Sequence, residues 1–286
     1  GVDTLLAGIE SEDREVRFHA AESLAYLDRR EAAKPLAEAA RNEPAFRVFA
    51  LTALSVIEDY VAYDELREML SLPSAETRYG AFRSLWIMNR DDSLVRGEEL
   101  GDGFSYHVLD VGGPPMIHVT RNRRPELVIF GPGQQLQAPL ALNAGNQIMI
   151  TSLPSGDVSV AKYTVNEADQ KRIVSTKLDE IIRAVTELGG TYPDIVQALQ
   201  EAKETGALSG RFEIDALPTA GRRYHRSSGE EVADPSSPSD GDLFAEVDAQ
   251  DRTYQRRTST AEGDAAIDSE ETAEPRGSWK GFLAKM

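Results

Sequence analysis

The chain has 286 residues, which is enough for one large domain or for two to three small ones. Acidic residues outnumber basic ones by 48 to 31, and the formal net charge of −17 argues against a nucleic-acid partner, because phosphate binding requires concentrated Lys and Arg. The chain contains no cysteine, which excludes disulfides and thiolate chemistry. No apolar run approaches the roughly 18 residues that a membrane helix needs, so we predict no transmembrane segment.

A pattern of Arg, Ala and Leu occurs three times in the first third of the chain. The copies are Arg17, Ala20 and Leu24; Arg47, Ala50 and Leu54; and Arg78, Ala81 and Leu85. A period of about 30 residues is typical of a solenoid, in which each unit buries its apolar face by stacking on its neighbours. Residues 1–96 are therefore predicted to form an α-solenoid of about three helix pairs, with first helices at 3–9, 32–40 and 61–70.

The repeated arginines Arg17, Arg47 and Arg78 have two interpretations. A guanidinium one turn into the second helix can reach a carboxylate or a helix-end carbonyl of the adjacent unit, which would connect repeat to repeat. Alternatively, three arginines on one face could bind an acidic ligand. We favour the structural role because an acidic residue precedes each arginine, namely Asp13, Glu43 and Glu76.

The repeat sequences resemble the HEAT-repeat family over residues 2–96. The best copy is "DREVRFHAAESLAYL" at residues 13–27, and "PAFRVFALTALSVI" and "AETRYGAFRSLWIM" follow it with fewer matching positions. The resemblance implies stacked helix pairs that bind other molecules rather than catalyse a reaction. Because three units are about the minimum for a stable stack, we expect a further unit or domain before Gly1.

After a predicted linker at 97–103, residues 104–221 are predicted to form an α+β domain. Short β-prone runs between Gly and Pro turns predict antiparallel strands at 105–111, 116–121, 126–130, 136–140, 147–152 and 158–164. These strands suggest a small β-sandwich or open barrel over the β-rich residues 104–165. Helices over 171–188 and 194–203 are predicted to pack on the sheet, and 211–217 is predicted to return as an edge strand. The predicted fold class is therefore multi-domain α+β.

Residues that could perform chemistry are scarce in the α+β domain. His107 and His118 stand in neighbouring predicted strands, but no third ligand follows at a recognisable spacing, so we predict no metal site. Glycine-rich phosphate loops and the Gly-x-Ser-x-Gly motif of hydrolases are missing. We therefore predict no catalytic residue and no cofactor.

The composition beyond Gly221 becomes polar and acidic. Residues 222–276 are predicted to be a disordered acidic tail, in which the basic cluster Arg222, Arg223 and Arg226 would be a solvated loop. The tail ends in an apolar motif at 277–286. Trp279, Phe282 and Leu283 would lie on one side of a helical turn and could dock in a partner groove or on a membrane surface. An unconstrained terminus explains the motif equally well.

The order of several segments resembles the C-terminal extension of flagellar P-ring proteins of the planctomycete type. The similar segments include "RFHAAESLAYLD", "FSYHVLD" and "QKRIVSTKLDEIIRAVTELGG". This resemblance implies a non-enzymatic role in a periplasmic, envelope-spanning assembly, with other components of that assembly as protein partners.

The sequence thus predicts a structural or protein-interaction module without catalytic activity. One alternative is a ligand-binding module that holds a sugar, peptide or lipid near Tyr106, His107 and His118. A second alternative is an accessory lyase, because some HEAT-like proteins resemble lyases that act on tetrapyrroles.

Overall fold

Residues 1–96 form six α-helices in three pairs. The helices are α1 (Val2–Gly8), α2 (Arg14–Ala25), α3 (Ala33–Asn42), α4 (Arg47–Leu54), α5 (Tyr60–Met69) and α6 (Ala75–Met88), with a short 3₁₀ helix at Arg30–Ala32. They belong to a computed structural model that describes residues 1–121, 124–165 and 168–224. The predicted helical N-terminal region is confirmed.

Side-chain caps fix where several of these helices begin. The Asp13 carboxylate accepts a hydrogen bond from Glu15 N at 2.8 Å, and Asp59 accepts one from Val61 N at 2.9 Å. At α6 the Ser74 hydroxyl accepts from the Thr77 amide. Each cap satisfies an amide that has no partner within its helix, and each typically contributes about 1 kcal/mol.

Two β-sheets follow the helices. Their strands are β1 (Glu98–Leu100), β2 (Phe104–Leu109), β3 (Met116–Val119), β4 (Glu126–Phe130), β5 (Ala141–Ala144), β6 (Ile148–Ser152), β7 (Val158–Lys162), β8 (Gln170–Val174) and β9 (Arg211–Ile214). Helices α7 (Leu178–Glu187) and α8 (Tyr192–Glu204) lie between β8 and β9 in the chain. One sheet has the order β1-β2-β4-β3-β9 and the other β5-β6-β7-β8. The predicted combination of helices and β-strands is confirmed at this level.

The pairing within the first sheet differs from the all-antiparallel prediction. Strand β4 lies between β2 and β3, so that β2 pairs with β4 in parallel while β3 pairs with β4 antiparallel. Strand β9 pairs with β3 in parallel and lies at the edge of the sheet. The antiparallel prediction was wrong because consecutive strands need not be neighbours, and β2 and β3 are not.

Three predicted element boundaries are also wrong. The linker at 97–103 contains β1, which pairs with β2 so that Glu98 lies opposite Tyr106. Residues 136–140 form no strand, since Pro139 has no amide to donate to a ladder. The helix predicted from 171 begins only at Leu178, because residues 170–174 pair with β7 as strand β8.

The apolar core consists of two clusters. The first runs through the helices α2–α6 and continues onto one face of the five-stranded sheet, where Leu109, Met116, Val128 and Phe130 are buried. The second fills the space between the other face of that sheet, the four-stranded sheet, α7 and α8. All described residues belong to one compact unit, so the predicted boundary near residue 97 is not a boundary in the packing.

Within the described parts of the chain, no helix is both long and apolar enough to cross a membrane. Residues 222–224, predicted to start a disordered tail, are described and pack against the helices. The rest of that tail and the motif at 277–286 lie outside the described residues.

Candidate functional site

The three repeated arginines hold equivalent positions in the helix stack. Each donates to a main-chain carbonyl at or just beyond the end of the helix that precedes its own. The bonds are Arg17 Nη1 to Ser11 O at 2.7 Å, Arg47 Nε to Ala40 O at 2.9 Å and Arg78 Nε to Leu70 O at 2.7 Å. Each arginine therefore supplies a donor to carbonyls near the end of a helix.

A second nitrogen of each arginine reaches the next unit of the structure. The contacts are Arg17 Nη2 to Glu38 at 3.6 Å, Arg47 Nη1 to Glu76 at 3.1 Å and Arg78 Nη1 to Pro114 O at 2.6 Å. Glu38 belongs to the second helix pair and Glu76 to the third, whereas Pro114 belongs to the loop between β2 and β3. The contacts thus run between repeats and from the last repeat to the sheet.

Arg78 is the most buried of the three. Its guanidinium lies 4.7 Å from the centroid of the Phe130 ring, and burial, together with the nearby charge of Arg211, lowers its pKa to about 10. Arg211 of β9 in turn donates to Pro73 O, so that Arg78 and Arg211 join the loop before α6 to the five-stranded sheet and its β2–β3 loop. Among the described residues, Arg78 Nη2 has no hydrogen-bond partner.

A buried polar cluster lies where α6 meets the five-stranded sheet. Glu126, at the start of β4, is 4% exposed and accepts from Arg83 Nη1 at 3.0 Å and from the Tyr79 hydroxyl at 2.7 Å. Burial alone would raise the pKa of Glu126, but Arg83 and His107 outweigh that effect, and the pKa lies below its usual value. The carboxylate therefore stays ionised between helix and sheet.

The two histidines lie on either side of Val128, opposite it in the register of the sheet. His107 Nδ1 lies 2.8 Å from Val95 O, and its Nε2 lies 3.9 Å from Glu126. The His118 ring stacks on Tyr79 with a centroid distance of 3.9 Å, and burial lowers its pKa to about 4. Neither ring nitrogen of His118 has a hydrogen-bond partner among the described residues.

This geometry argues against the alternative of a ligand groove near Tyr106, His107 and His118. Tyr106 alternates with His107 along β2, so its side chain lies on the opposite face of the sheet, in the second apolar cluster. Its hydroxyl donates to Asp179 at 2.8 Å. The three side chains therefore line no common groove. The part of the chain that the structure describes has no group of three or more His, Asp or Glu side chains placed to hold a metal ion.

A cleft of about 620 Å³ opens beside Tyr106, between strand β1 and helix α7. Arg183 crosses its wall and pairs with Glu98 at 2.5 Å and with Asp179 at 3.2 Å. The bonds to Glu98 and Asp179 raise the pKa of Arg183, and the Arg183 bond lowers the pKa of Glu98. Glu98 and Asp179 thus offset the charge of Arg183, and the cleft is lined in addition by Arg96 and by Lys177, whose ammonium lies 3.3 Å from Glu180.

The chain returns to the helices after β9 in a segment that we call the strap, residues 216–224. Pro218 packs beside Gly80 of α6, and Arg222 donates to both carboxylate oxygens of Glu76 at 2.6 and 2.8 Å. The Tyr224 ring lies 4.6 Å from the ring of Phe46. The prediction that Arg222 belongs to a solvated loop was wrong, because an acidic partner 146 residues away binds it.

Paired helices that stack on one another, with an arginine at the same place in each pair, are typical of a repeat family. Residues 2–86 match the family of HEAT repeats. The predicted HEAT-repeat resemblance is thereby confirmed for this part of the chain. No curated protein and no solved structure matched the sequence, so the narrower resemblance to flagellar P-ring proteins rests on the quoted segments alone.

The arginines of the HEAT repeats follow from the sequence pattern, whereas the residues around Glu126 and the strap do not. Glu126 lies in a strand that was predicted correctly, but its partners Tyr79 and Arg83 are 47 and 43 residues away. The possible docking residues Trp279, Phe282 and Leu283 lie outside the described residues.

Proposed function

We propose that this chain is a protein-interaction module without catalytic activity. The observation that carries the proposal is the stack of HEAT repeats at residues 2–86, since stacked helix repeats present extended surfaces to their partners. Two deeply buried charged side chains, Arg83 and Glu126, pair with each other between α6 and the sheet, where they join two layers of the fold.

An apolar patch on the HEAT repeats is the surface that we assign to this role. Leu27 follows α2 and is 53% exposed, and Tyr60 begins α5 and is 70% exposed. A hydrogen bond of 3.0 Å from Glu58 N to Asp28 Oδ1 holds these two turns side by side. Exposed apolar side chains on two joined turns of a repeat stack suit a surface that a protein partner covers.

The test is chemical cross-linking of the full chain in its source cells, followed by mapping of the cross-linked residues. We expect Leu27→Ser/Tyr60→Ser to lose at least about nine tenths of the partner cross-links, as removal of a central apolar contact does. Met149→Ser/Ile173→Ser, at two exposed apolar positions of the four-stranded sheet, is the matched control and should keep them. If only the control loses its partner cross-links, the partner binds the four-stranded sheet. If both variants keep their partner cross-links, the proposed surface is contradicted.

A narrower proposal concerns the place of action. The resemblance to flagellar P-ring proteins supports a role in a periplasmic envelope assembly, with other components of that assembly as partners. Fractionation of the source cells tests it, since the chain should enter the periplasmic fraction together with ring proteins. A cytoplasmic location would contradict it without affecting the interaction role.

A further inference from the structure

Side chains hold the strap, residues 216–224, against the HEAT repeats. Within the described residues, the last main-chain hydrogen bond that the strap donates is from Leu217 N to Asp215 O. The partly buried Ala216, Leu217 and Ala220 pack on the first apolar cluster. A segment attached in this way has few cooperative contacts, so it opens at lower cost than a strand in a sheet does.

The site that the strap occupies is shaped for a closely packed chain. Gly80 lies inside helix α6, where glycine is unfavourable by roughly 1 kcal/mol relative to alanine. A Cβ atom at this position would lie 2.7 Å from Pro218 Cγ and 2.5 Å from Leu51 Cδ1. The missing side chain therefore makes room for both the strap and the neighbouring helix.

Charge is the second complementary feature. Glu76 accepts hydrogen bonds from Arg47 of the second repeat and from Arg222 of the strap. Burial raises the pKa of Glu76, but the two arginines hold it below its usual value, so the carboxylate is available in its charged form. The strap thus adds a second arginine to a carboxylate that Arg47 already contacts.

An aromatic contact completes the site two residues further along. Tyr224 packs on Phe46, and Phe46 is stacked on Phe18 with a centroid distance of 4.4 Å. Partial burial raises the pKa of Tyr224, and the nearby carboxylates of Glu43 and Asp13 raise it further. Arg14, which pairs with Glu43 at 2.5 Å, offsets part of this effect. The neighbourhood therefore offers an aromatic surface with carboxylates at its border, which suits a basic segment that carries an aromatic side chain.

We propose that the strap is an intramolecular ligand, and that the site formed by Phe46, Leu51, Glu76 and Gly80 binds extended protein segments with an arginine two residues before an aromatic residue. This inference rests on the proposed interaction function and names a second surface for it. Because the strap follows directly from β9, its effective concentration at the site is on the order of millimolar. An external segment of the same kind binds well only when the strap has left.

The experiment measures binding of a fluorescein-labelled peptide with the sequence of residues 215–226, DALPTAGRRYHR, by fluorescence anisotropy. The receptors are the full wild-type chain, Arg222→Ala/Tyr224→Ala, in which the strap is loosened, and Arg172→Ala/Tyr163→Ala as matched control. The control removes the same residue types from exposed positions near the four-stranded sheet. We expect the loosened chain to bind the peptide at least about tenfold more tightly than the wild type and the control do.

A third substitution identifies the site. Adding Glu76→Gln to the loosened chain should weaken peptide binding at least about tenfold, because it removes the carboxylate that Arg222 contacts. Two results would overturn the inference. One is equal peptide affinity of the wild-type and loosened chains, and the other is a peptide affinity of the loosened chain that Glu76→Gln does not change. If the loosened chain fails to fold by circular dichroism, Glu76→Gln alone still tests it, since trypsin should then cut after Arg223 faster than in the wild type. An unchanged cleavage rate would contradict the proposal.

The two proposals can fail separately. Peptide binding that is absent from every chain, while Leu27→Ser/Tyr60→Ser still loses its partner, would overturn the intramolecular ligand and leave the interaction function standing. Peptide binding as expected, without any partner cross-link to the HEAT repeats, would support the strap site and contradict the patch at Leu27 and Tyr60.

Discussion

Replacing Glu126 with leucine removes a carboxylate that is 4% exposed and that binds Arg83 at 3.0 Å. The guanidinium of Arg83 is itself 3% exposed and would stay in an apolar site without this counter-charge. Removal of one partner from a buried ion pair typically costs about 3–5 kcal/mol. For a folded unit of roughly 220 residues, this loss corresponds to a decrease in Tm of roughly 6–20 °C.

Urea unfolding provides the measurement, followed by far-UV circular dichroism and by the fluorescence of Trp86, whose ring lies 4.7 Å from the Arg83 guanidinium. The double variant Arg83→Met/Glu126→Leu should recover most of the lost stability, because it replaces both charges with apolar groups of similar volume. Glu187→Gln is the control, since its ion pair with Arg172 is about half exposed and its loss should cost less than about 0.5 kcal/mol.

Two results would refute this reasoning. A loss below about 1 kcal/mol for Glu126→Leu would show that the charge is hydrated in solution, contrary to its burial between α6 and β4. A double variant as unstable as the single one would show that cavity formation, and not the charge left behind on Arg83, causes the loss.

Three further predictions concern stability. Because burial lowers the pKa of His118 to about 4, the unfolded chain takes up a proton at this residue below about pH 6.5 while the native chain does not. The free energy of unfolding therefore falls as the pH drops from 6.5 towards 4, by about 2 kcal/mol between pH 7 and pH 5. In urea unfolding at these two pH values, His118→Phe should show a smaller difference in the free energy of unfolding than the wild type does. Arg78→Met should lower the free energy of unfolding by about 2–4 kcal/mol, because Arg78 is fully buried. Arg17→Met should lower it by less than about 1 kcal/mol, because Arg17 is partly exposed. Equal losses of the two variants in urea unfolding would contradict this order. Gly80→Ala should lower the free energy of unfolding by about 1–2 kcal/mol despite the higher helix propensity of alanine, because the new Cβ meets Pro218; a higher Tm in calorimetry would contradict this.

The sequence predicted the HEAT repeats because their signals are local and repeated. Each second helix contains its own apolar stripe, and Asp13 and Ser74 mark where two of them begin. Because the same spacing occurs three times, the period can be recognised even though single positions differ, such as the polar Thr77 in the apolar stripe of α6.

The sheet pairing could not be predicted from the same kind of signal. Strand β4 was recognised, but nothing in its residues indicates that β2 and β3 lie on its two sides. Strand β8 was mistaken for part of a helix because Ile173 extends the apolar stripe of α7 by one turn. In the structure Ile173 is 61% exposed on an edge strand, so this apolar residue is not part of the core.

The polar site and the strap depend on contacts between distant parts of the chain. The partners of Glu126 come from α6, and the partner of Arg222 lies 146 residues before it. A lone glutamate at the start of a strand and a basic cluster after an edge strand are each common on protein surfaces, so composition favoured solvent exposure for both.

The continuous core makes α6 the helix of the stack that is hardest to open by itself. Helix α1 has no buried residue, whereas α6 is covered by β4 and by the strap. A stack of equal repeats can fray from either end, but here fraying from the α6 side would require the sheet to come apart as well. We therefore expect amide protection against hydrogen exchange to be higher in α6 than in α2 and α4, the second helices of the other two pairs, because opening α6 also breaks its contacts with β4 and with the strap.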